Sequence, residues 1–92
     1  MTPYDGRTVV TTAGTRVALG TISGVKEIII TAETDNTGVI VVGGITVVAA
    51  LATRRGVPLF AGESLTIPAY NLPDVYLDST VSGDGVTYLY MV

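Results

Sequence analysis

Short runs of valine, isoleucine and threonine, separated by turns that contain glycine, follow one another along this chain. β-Branched residues favour strands, and glycine, asparagine and aspartate favour the tight turns between strands. Turn signals recur about every eight to twelve residues, and no segment of about ten residues carries apolar side chains at the helical period. The pattern predicts an all-β protein, a small antiparallel β-sandwich or barrel of about seven to eight short strands, with under about a tenth of its residues helical.

The turns and the alternation of side chains set the predicted strand boundaries. Ile28, Ile30 and Ala32 share one face of a strand whose other face is polar, which is typical of a sheet with one solvated side. Residues 39–42 are apolar without a break, so this strand is expected to be central and buried on both faces. Residues 45–50 form either another strand or a loop that lies over the sheet. The strand that contains Ile28 spans residues 25–33. The other predicted strands are 7–12, 15–19, 64–68, 75–78 and 86–91, and the last two are expected to form a hairpin through Ser82-Gly83-Asp84-Gly85.

The apolar positions of these strands predict the core. Pro68 cannot donate to a strand ladder, so it marks the end of a strand or the edge of a sheet. The residues expected in the core are Ile28, Ile30, Val39, Val41, Leu65, Ile67, Val75, Leu77 and Leu89.

With 92 residues, the chain is expected to form one domain, residues 1–92. Residues 1–6 are expected to form an extended arm that leaves the sandwich and contacts a neighbour, because Pro3 and Gly6 interrupt them. Cysteine and histidine are both absent, which excludes disulfides and the commonest ligands of zinc, copper and iron. Since so short a domain has a thin core, association with other chains is the remaining way to reinforce it.

Charged residues are sparse: 14% of the chain, against about 25% in a typical soluble domain. Five basic and eight acidic side chains give a net charge of −3, and Arg54-Arg55 is the one basic pair, so nucleic-acid binding is not expected. Hydrophobic residues make up 48%, more than a thin core can hide. The surplus predicts a homo-oligomer, with a trimer favoured.

One uncharged stretch, residues 36–53, precedes Arg54-Arg55 and has nearly the length of a membrane span. Gly43-Gly44 divides it into two β-like runs, so the chain is expected to be soluble and not membrane-bound. The first residues include Pro3 and Asp5 in place of a basic and then apolar leader, so no secretory signal is expected.

Catalytic chemistry is not expected. Without histidine, a serine or threonine nucleophile has no obvious base, and a small domain leaves little room for a substrate cleft between Asp74, Asp78 and Asp84. Single changes at these acids are therefore expected to leave the function intact. Residues 78–85 are rich in oxygen ligands but lack the spacing of a calcium loop, so they are interpreted as a hairpin turn. No enzyme activity, cofactor or metal is predicted.

Partner binding is expected instead, and six residues are the candidates for the interaction surface. Tyr88 and Tyr90 are two positions apart and share a strand face, where they either pack against Tyr76 or stack on a ligand. The candidate surface residues are Tyr4, Arg54, Arg55, Tyr70, Tyr88 and Tyr90.

Four segments, in order, resemble small β-rich proteins encoded in the structural gene blocks of tailed phages and prophages. The resemblance covers roughly residues 7 to 90. Its pattern is a strand with an Asn-x-Gly turn, an apolar strand ending in glycine, a loop leading to Leu-x-x-Gly-Glu-Ser, and a last pair of strands. The matching residues are 25–32 with Asn36-Thr37-Gly38, then Val41-Val42-Gly43, then 58–64 (PLFAGES), and then 74–78 (DVYLD) running to 83–90 (GDGVTYLY).

The resemblance implies a virion component, with capsid decoration (cement) favoured. Such proteins are often trimers, and they sit on the capsid shell and reinforce it. The implied partners are the major capsid protein or other virion proteins, and the implied location is the capsid surface after a soluble phase in the host cytoplasm. Two alternatives remain open at this point. One is a tail, neck or host-recognition component of the virion, and the other is a carbohydrate-binding module that uses Tyr76, Tyr88 and Tyr90.

Overall fold

The computed structural model describes residues 2–68 and 71–92, which form eight strands and two short 3₁₀ helices. About 46% of the residues lie in strands and 7% are helical, so the predicted all-β class is confirmed. The 3₁₀ helices are Leu51–Thr53 and Leu72–Asp74. The strands are β1 (Pro3–Val9), β2 (Val17–Ala18), β3 (Glu27–Ala32), β4 (Ile40–Gly43), β5 (Val57–Leu59), β6 (Ser64–Ile67), β7 (Tyr76–Ser79) and β8 (Gly85–Met91).

The strands form two four-stranded antiparallel sheets that pack face to face as a sandwich. Sheet 1 has the order β1-β8-β3-β6, and sheet 2 has the order β2-β7-β4-β5. The predicted hairpin of the last two strands is therefore wrong, because β7 pairs with β2 and β4 while β8 pairs with β1 and β3. Residues 80–84 carry the chain from one sheet to the other: the Thr80 N–H donates to Val39 and the Gly83 N–H donates to Val10.

The main core lies between the sheets and is built from alternate positions of their strands. On β3 these are Ile28, Ile30 and Ala32, as the alternation predicts. Val75 and Leu77 also lie in this core, while Leu65 and Ile67 pack against it half-buried. Leu89 was predicted here wrongly: it lies opposite Ile29 on the outer face of sheet 1, and the tyrosines of β8 face inward. Successive side chains of a strand point to opposite faces, so burial of Tyr90 in the core places Leu89 on the outer face.

The orientation of β8 gives a direct mutational test. Tyr90 is 8% exposed in the core, whereas Leu89 is only half-buried on the outer face. We expect Tyr90→Ala to lower the free energy of unfolding by about 3 kcal/mol and Leu89→Ala by about 1 kcal/mol. Urea denaturation followed by circular dichroism measures both. Equal losses, or a larger loss at Leu89, would contradict this register.

The first strand begins earlier than the sequence predicts. Residues 3–6, assigned to a free N-terminal arm, are the first half of β1, where Tyr4 pairs with Tyr90 and Gly6 with Tyr88. Thr2 and Val92 exchange two backbone hydrogen bonds of 3.0 Å beyond the end of the strand. Pro3 interrupts nothing, because its nitrogen lies on the unpaired edge of the sheet, where no donor is needed.

The strand β4 is buried on both faces, as predicted. Ile40 and Val42 face the main core, and Val41 faces the other side, where it packs against Val47 and Ala49. These two residues belong to a loop that folds over the outer face of sheet 2. Of the two alternatives predicted for residues 45–50, a strand or a loop over the sheet, the loop is therefore correct. We call residues 44–55 the covering loop. The chain then returns to the sheet as β5, a strand that was not predicted from the sequence; Pro58 fits within it because β5 is an edge strand.

The uncharged stretch 36–53, considered as a membrane span, consists of a turn, the strand β4 and most of the covering loop. Within residues 2–68 and 71–92, no helix has the length and apolar character needed to cross a membrane.

Candidate interaction surfaces

The covering loop is held against sheet 2 by a compact set of hydrogen bonds. Val48 and Arg55 exchange backbone bonds of 3.1 and 2.9 Å, which turn the loop back on itself around the 3₁₀ helix Leu51–Thr53. The Arg54 guanidinium donates from Nε to the carbonyl oxygen of Ala49 at 3.0 Å. The loop is therefore an ordered layer of the fold, and the side chains on its outer surface have defined positions.

A buried carboxylate connects this loop to the rest of the molecule. Asp78 is 2% exposed and lies opposite Val41, beneath the covering loop. Its Oδ2 accepts the N–H of Ala49 at 2.8 Å, and its Oδ1 accepts those of Gly14 at 3.0 Å and Ser79 at 2.9 Å. Three backbone donors from three segments satisfy a buried charge that would otherwise be costly. Asp78 thus joins the loop before β2, the strand β7 and the covering loop.

The second buried acid has the same kind of role at one end of the sandwich. Asp84 is 6% exposed and accepts the N–H groups of Thr37 at 3.2 Å and Gly38 at 2.7 Å. Asn36 beside it exchanges two hydrogen bonds with the backbone of Gly85, at 2.9 and 3.0 Å. The Asn-x-Gly turn and the final glycine-rich turn of the sequence pattern therefore contact each other directly.

These contacts change one conclusion drawn from the sequence and give a physical reason for another. Changes at Asp78 or Asp84 are expected to disturb the fold itself, whereas Asp74 is exposed and its carboxylate accepts one hydrogen bond, from Asn71. A cation at residues 78–85 would also have to displace backbone N–H groups, whose positive ends already point at both carboxylates. Among the described residues, no group of three or more acidic side chains is arranged to hold a metal.

The three candidate tyrosines within the described residues all lie on sheet 1. Tyr4, Tyr88 and Tyr90 face the interior side of sheet 1: the Tyr4 and Tyr90 rings stack with centroids 5.6 Å apart, and the Tyr88 and Tyr90 rings with centroids 6.0 Å apart. A side chain at Gly6 would collide with the Tyr88 ring, so the ring lies over this glycine. Tyr4, 50% exposed, is the accessible end of the stack.

Tyr76 belongs to sheet 2 and packs against the cluster beneath the covering loop. The structure thus packs Tyr88 and Tyr90 within the fold, but Tyr88 stacks on Tyr90 and Tyr90 on Tyr4, whereas Tyr76 lies on the other sheet. The three tyrosines on which the carbohydrate alternative depends do not form one platform. Tyr70 lies outside the described residues.

The arginine candidates lie on the outer side of sheet 2, beside exposed apolar side chains. Arg55 is exposed and Arg54 is partly exposed on the covering loop. Leu51 is 80% exposed and Ile45 60% exposed on the same loop. A shallow groove separates this loop from the one before β2, and Gly14, Thr15, Arg16, Ile45 and Tyr76 line it.

Arg16 and the two exposed aliphatic residues were not among the residues predicted to form an interaction surface. Their residue types carry no motif, and only the folding of two loops over one sheet brings them together. Comparison of the chain with protein-family models, with curated proteins and with solved structures found no match.

Proposed function

We propose that this chain is a structural protein of a phage virion, most simply a capsid decoration protein that binds the head surface in many copies and stabilises it. The proposed partners are the major capsid protein, other virion proteins and further copies of the chain. The role is adhesive: many contacts between ordered faces add up over a repeating lattice. The alternative within the same class is a tail, neck or host-recognition component.

The observation that carries this proposal is the apolar surface left exposed on the outer side of sheet 2. Leu51 and Ile45 are each more than half exposed on the covering loop, in a chain with only 14% charged residues. A concentration of exposed apolar residues on one side of a small domain is typical of an interaction site. The resemblance of residues 7 to 90 to phage structural proteins supports the choice of partner.

The four sheet edges support association through faces. Pro58 lies within the edge strand β5, and Pro68 follows directly after the edge strand β6. Pro3 begins the edge strand β1, and the fourth edge, β2, is only two residues long. Proline and short strands are features that hinder edge-to-edge pairing of sheets. The outer sides of the two sheets are the surfaces left for stable contacts.

Particles that lack the protein provide the test. We expect them to assemble but to release their DNA on heating at a lower temperature than complete particles. A ligand that binds only the assembled lattice stabilises it, by about 2.7 kcal/mol per site at a hundredfold excess over its dissociation constant. Adding purified protein back to the deletion particles should restore DNA retention, and hundreds of copies per particle are expected.

Two results would contradict the decoration role. Equal DNA retention, with unchanged surface density of the heads in micrographs, would exclude it. A handful of copies per purified particle, in place of hundreds, would favour the tail or neck.

A further inference from the structure

We propose that copies of this chain associate head to tail, with the outer face of sheet 1 in one copy against the covering loop of the next. The proposal rests on the self-association proposed above, and it names the two surfaces that make the contact. Charge complementarity between these two surfaces carries it.

The outer face of sheet 1 is acidic around an apolar centre. Asp5 on β1 lies opposite Leu89, which in turn lies opposite Ile29 on β3. Glu27 has the same orientation as Ile29, because the two are two positions apart on one strand. Both carboxylates are exposed, whereas the two aliphatic side chains between them are half-buried.

The remaining charges of this side add to its negative sign. Arg7 and Glu33 neutralise each other through two contacts, of 2.6 and 3.1 Å. The hydrogen bond and charge of Glu33 are the main causes that raise the pKa of the Arg7 guanidinium, and Asp35 raises it further by its charge. Asp35 also lines a shallow depression together with Thr31 and Thr87 of this face, so it is a third acid close to it. We call the surface around Asp5, Glu27 and Asp35 the acidic face.

The opposite side of the sandwich is basic. Arg54 and Arg55 lie on the covering loop, and Arg16 lies across the groove from Ile45. The acid beneath them, Asp78, is buried, and backbone N–H groups occupy both of its oxygens. We call the surface around Arg16, Arg54, Arg55, Ile45 and Leu51 the arginine face. Three of the five basic residues of the chain are therefore on one face.

This separation of charge decides how two copies fit. In a two-fold dimer through either face, three charges of one copy would lie against the same three charges of the other copy. Their repulsion would weaken binding. Contact of the acidic face with the arginine face pairs opposite charges and brings Leu51 or Ile45 towards Leu89 and Ile29. The two faces lie on opposite sides of the sandwich, so the contact repeats: it closes into a ring, such as the proposed trimer, only if successive copies are tilted, and otherwise continues as a row.

Charge reversal of exposed residues tests the contact in purified protein. We expect sedimentation of the wild-type chain at micromolar concentration to show oligomers that weaken with added salt. The variants Arg16→Glu/Arg55→Glu and Asp5→Arg/Glu27→Arg should each raise the dissociation constant by roughly tenfold or more. An equal mixture of the two variants should associate again, because each then presents a face of the sign that the other lacks. The control is Lys26→Glu, which reverses the charge of an exposed basic residue at the end of the sandwich. This variant should associate like the wild type.

Circular dichroism establishes that each variant is folded, so loss of association reports on the contact. A wild-type chain that stays monomeric at every accessible concentration would overturn the proposal. Oligomers that tolerate both reversals, or variants whose mixture fails to associate, would overturn the head-to-tail pairing while self-association stands. The virion role is tested separately, by the deletion particles.

Discussion

Replacing Asp78 by asparagine is expected to lower the free energy of unfolding by about 3–5 kcal/mol, a large part of the stability of a domain this small. The carboxylate accepts three backbone N–H groups from three segments while 2% exposed. An asparagine side chain has one oxygen acceptor group, and its NH₂ would face one or more of the same N–H donors. At least one buried donor is then left unsatisfied, and the covering loop loses its connection to β7.

Denaturation in urea, followed by far-UV circular dichroism, measures this loss. Asp74→Asn is the matched control, because Asp74 is exposed and its side chain accepts a hydrogen bond from Asn71 of the same turn, at 3.0 Å. We expect the control to stay within about 0.5 kcal/mol of the wild type. If Asp78→Asn were equally mild, the carboxylate would not be what joins the three segments.

Replacing Gly56 by alanine is expected to cost about 2–5 kcal/mol, through backbone strain and steric overlap together. Gly56 has a φ of 120°, which side chains rarely tolerate, at the point where the covering loop returns to sheet 2. A Cβ atom there would lie 2.6 Å from the carbonyl oxygen of Val42 and 2.8 Å from Cγ1 of Val41. Both neighbours belong to the central strand β4, which cannot move without disturbing the main core.

The matched control is Gly44→Ala, at the other end of the covering loop. Gly44 has no positive φ, and a Cβ atom there has no neighbour within 4 Å. We expect the control to be neutral or slightly stabilising, since alanine restricts the unfolded chain. Thermal unfolding of both variants measures the difference. Equal melting temperatures would show that the loop has room to shift at Gly56.

The charge-reversal and stability experiments address different properties of the same loop. Arg55 is exposed on its outer surface, whereas Ala49 and Val47 are buried on its inner surface. Arg16→Glu/Arg55→Glu should therefore weaken association without changing the free energy of unfolding. Asp78→Asn should mainly lower the free energy of unfolding.

Features of the fold that depend on neighbouring residues could be predicted from the sequence. The alternation from Ile28 to Ala32 assigns one face of β3 to the core, because the side-chain period of a strand is two wherever the strand lies. The unbroken run at 39–42 indicates burial on both sides, and the structure confirms it with two separate clusters around β4. The positions of most turns follow from glycine and asparagine for the same local reason.

Strand pairing, by contrast, depends on contacts between distant segments. The sequence of residues 75–78 and 86–91 is compatible with a hairpin and equally with strands of two different sheets. Their pairing depends on where β4 and β1 lie and not on the turn that joins the two segments. Which face of β8 is buried could not be predicted for a similar reason, because both Leu89 and Tyr90 are suited to a core. Gly6 on the neighbouring strand makes room for Tyr88 on the inner side. Asp78, Arg16 and Leu51 acquire their roles from loops that meet over sheet 2, and contacts between segments so distant in sequence leave no local pattern to read.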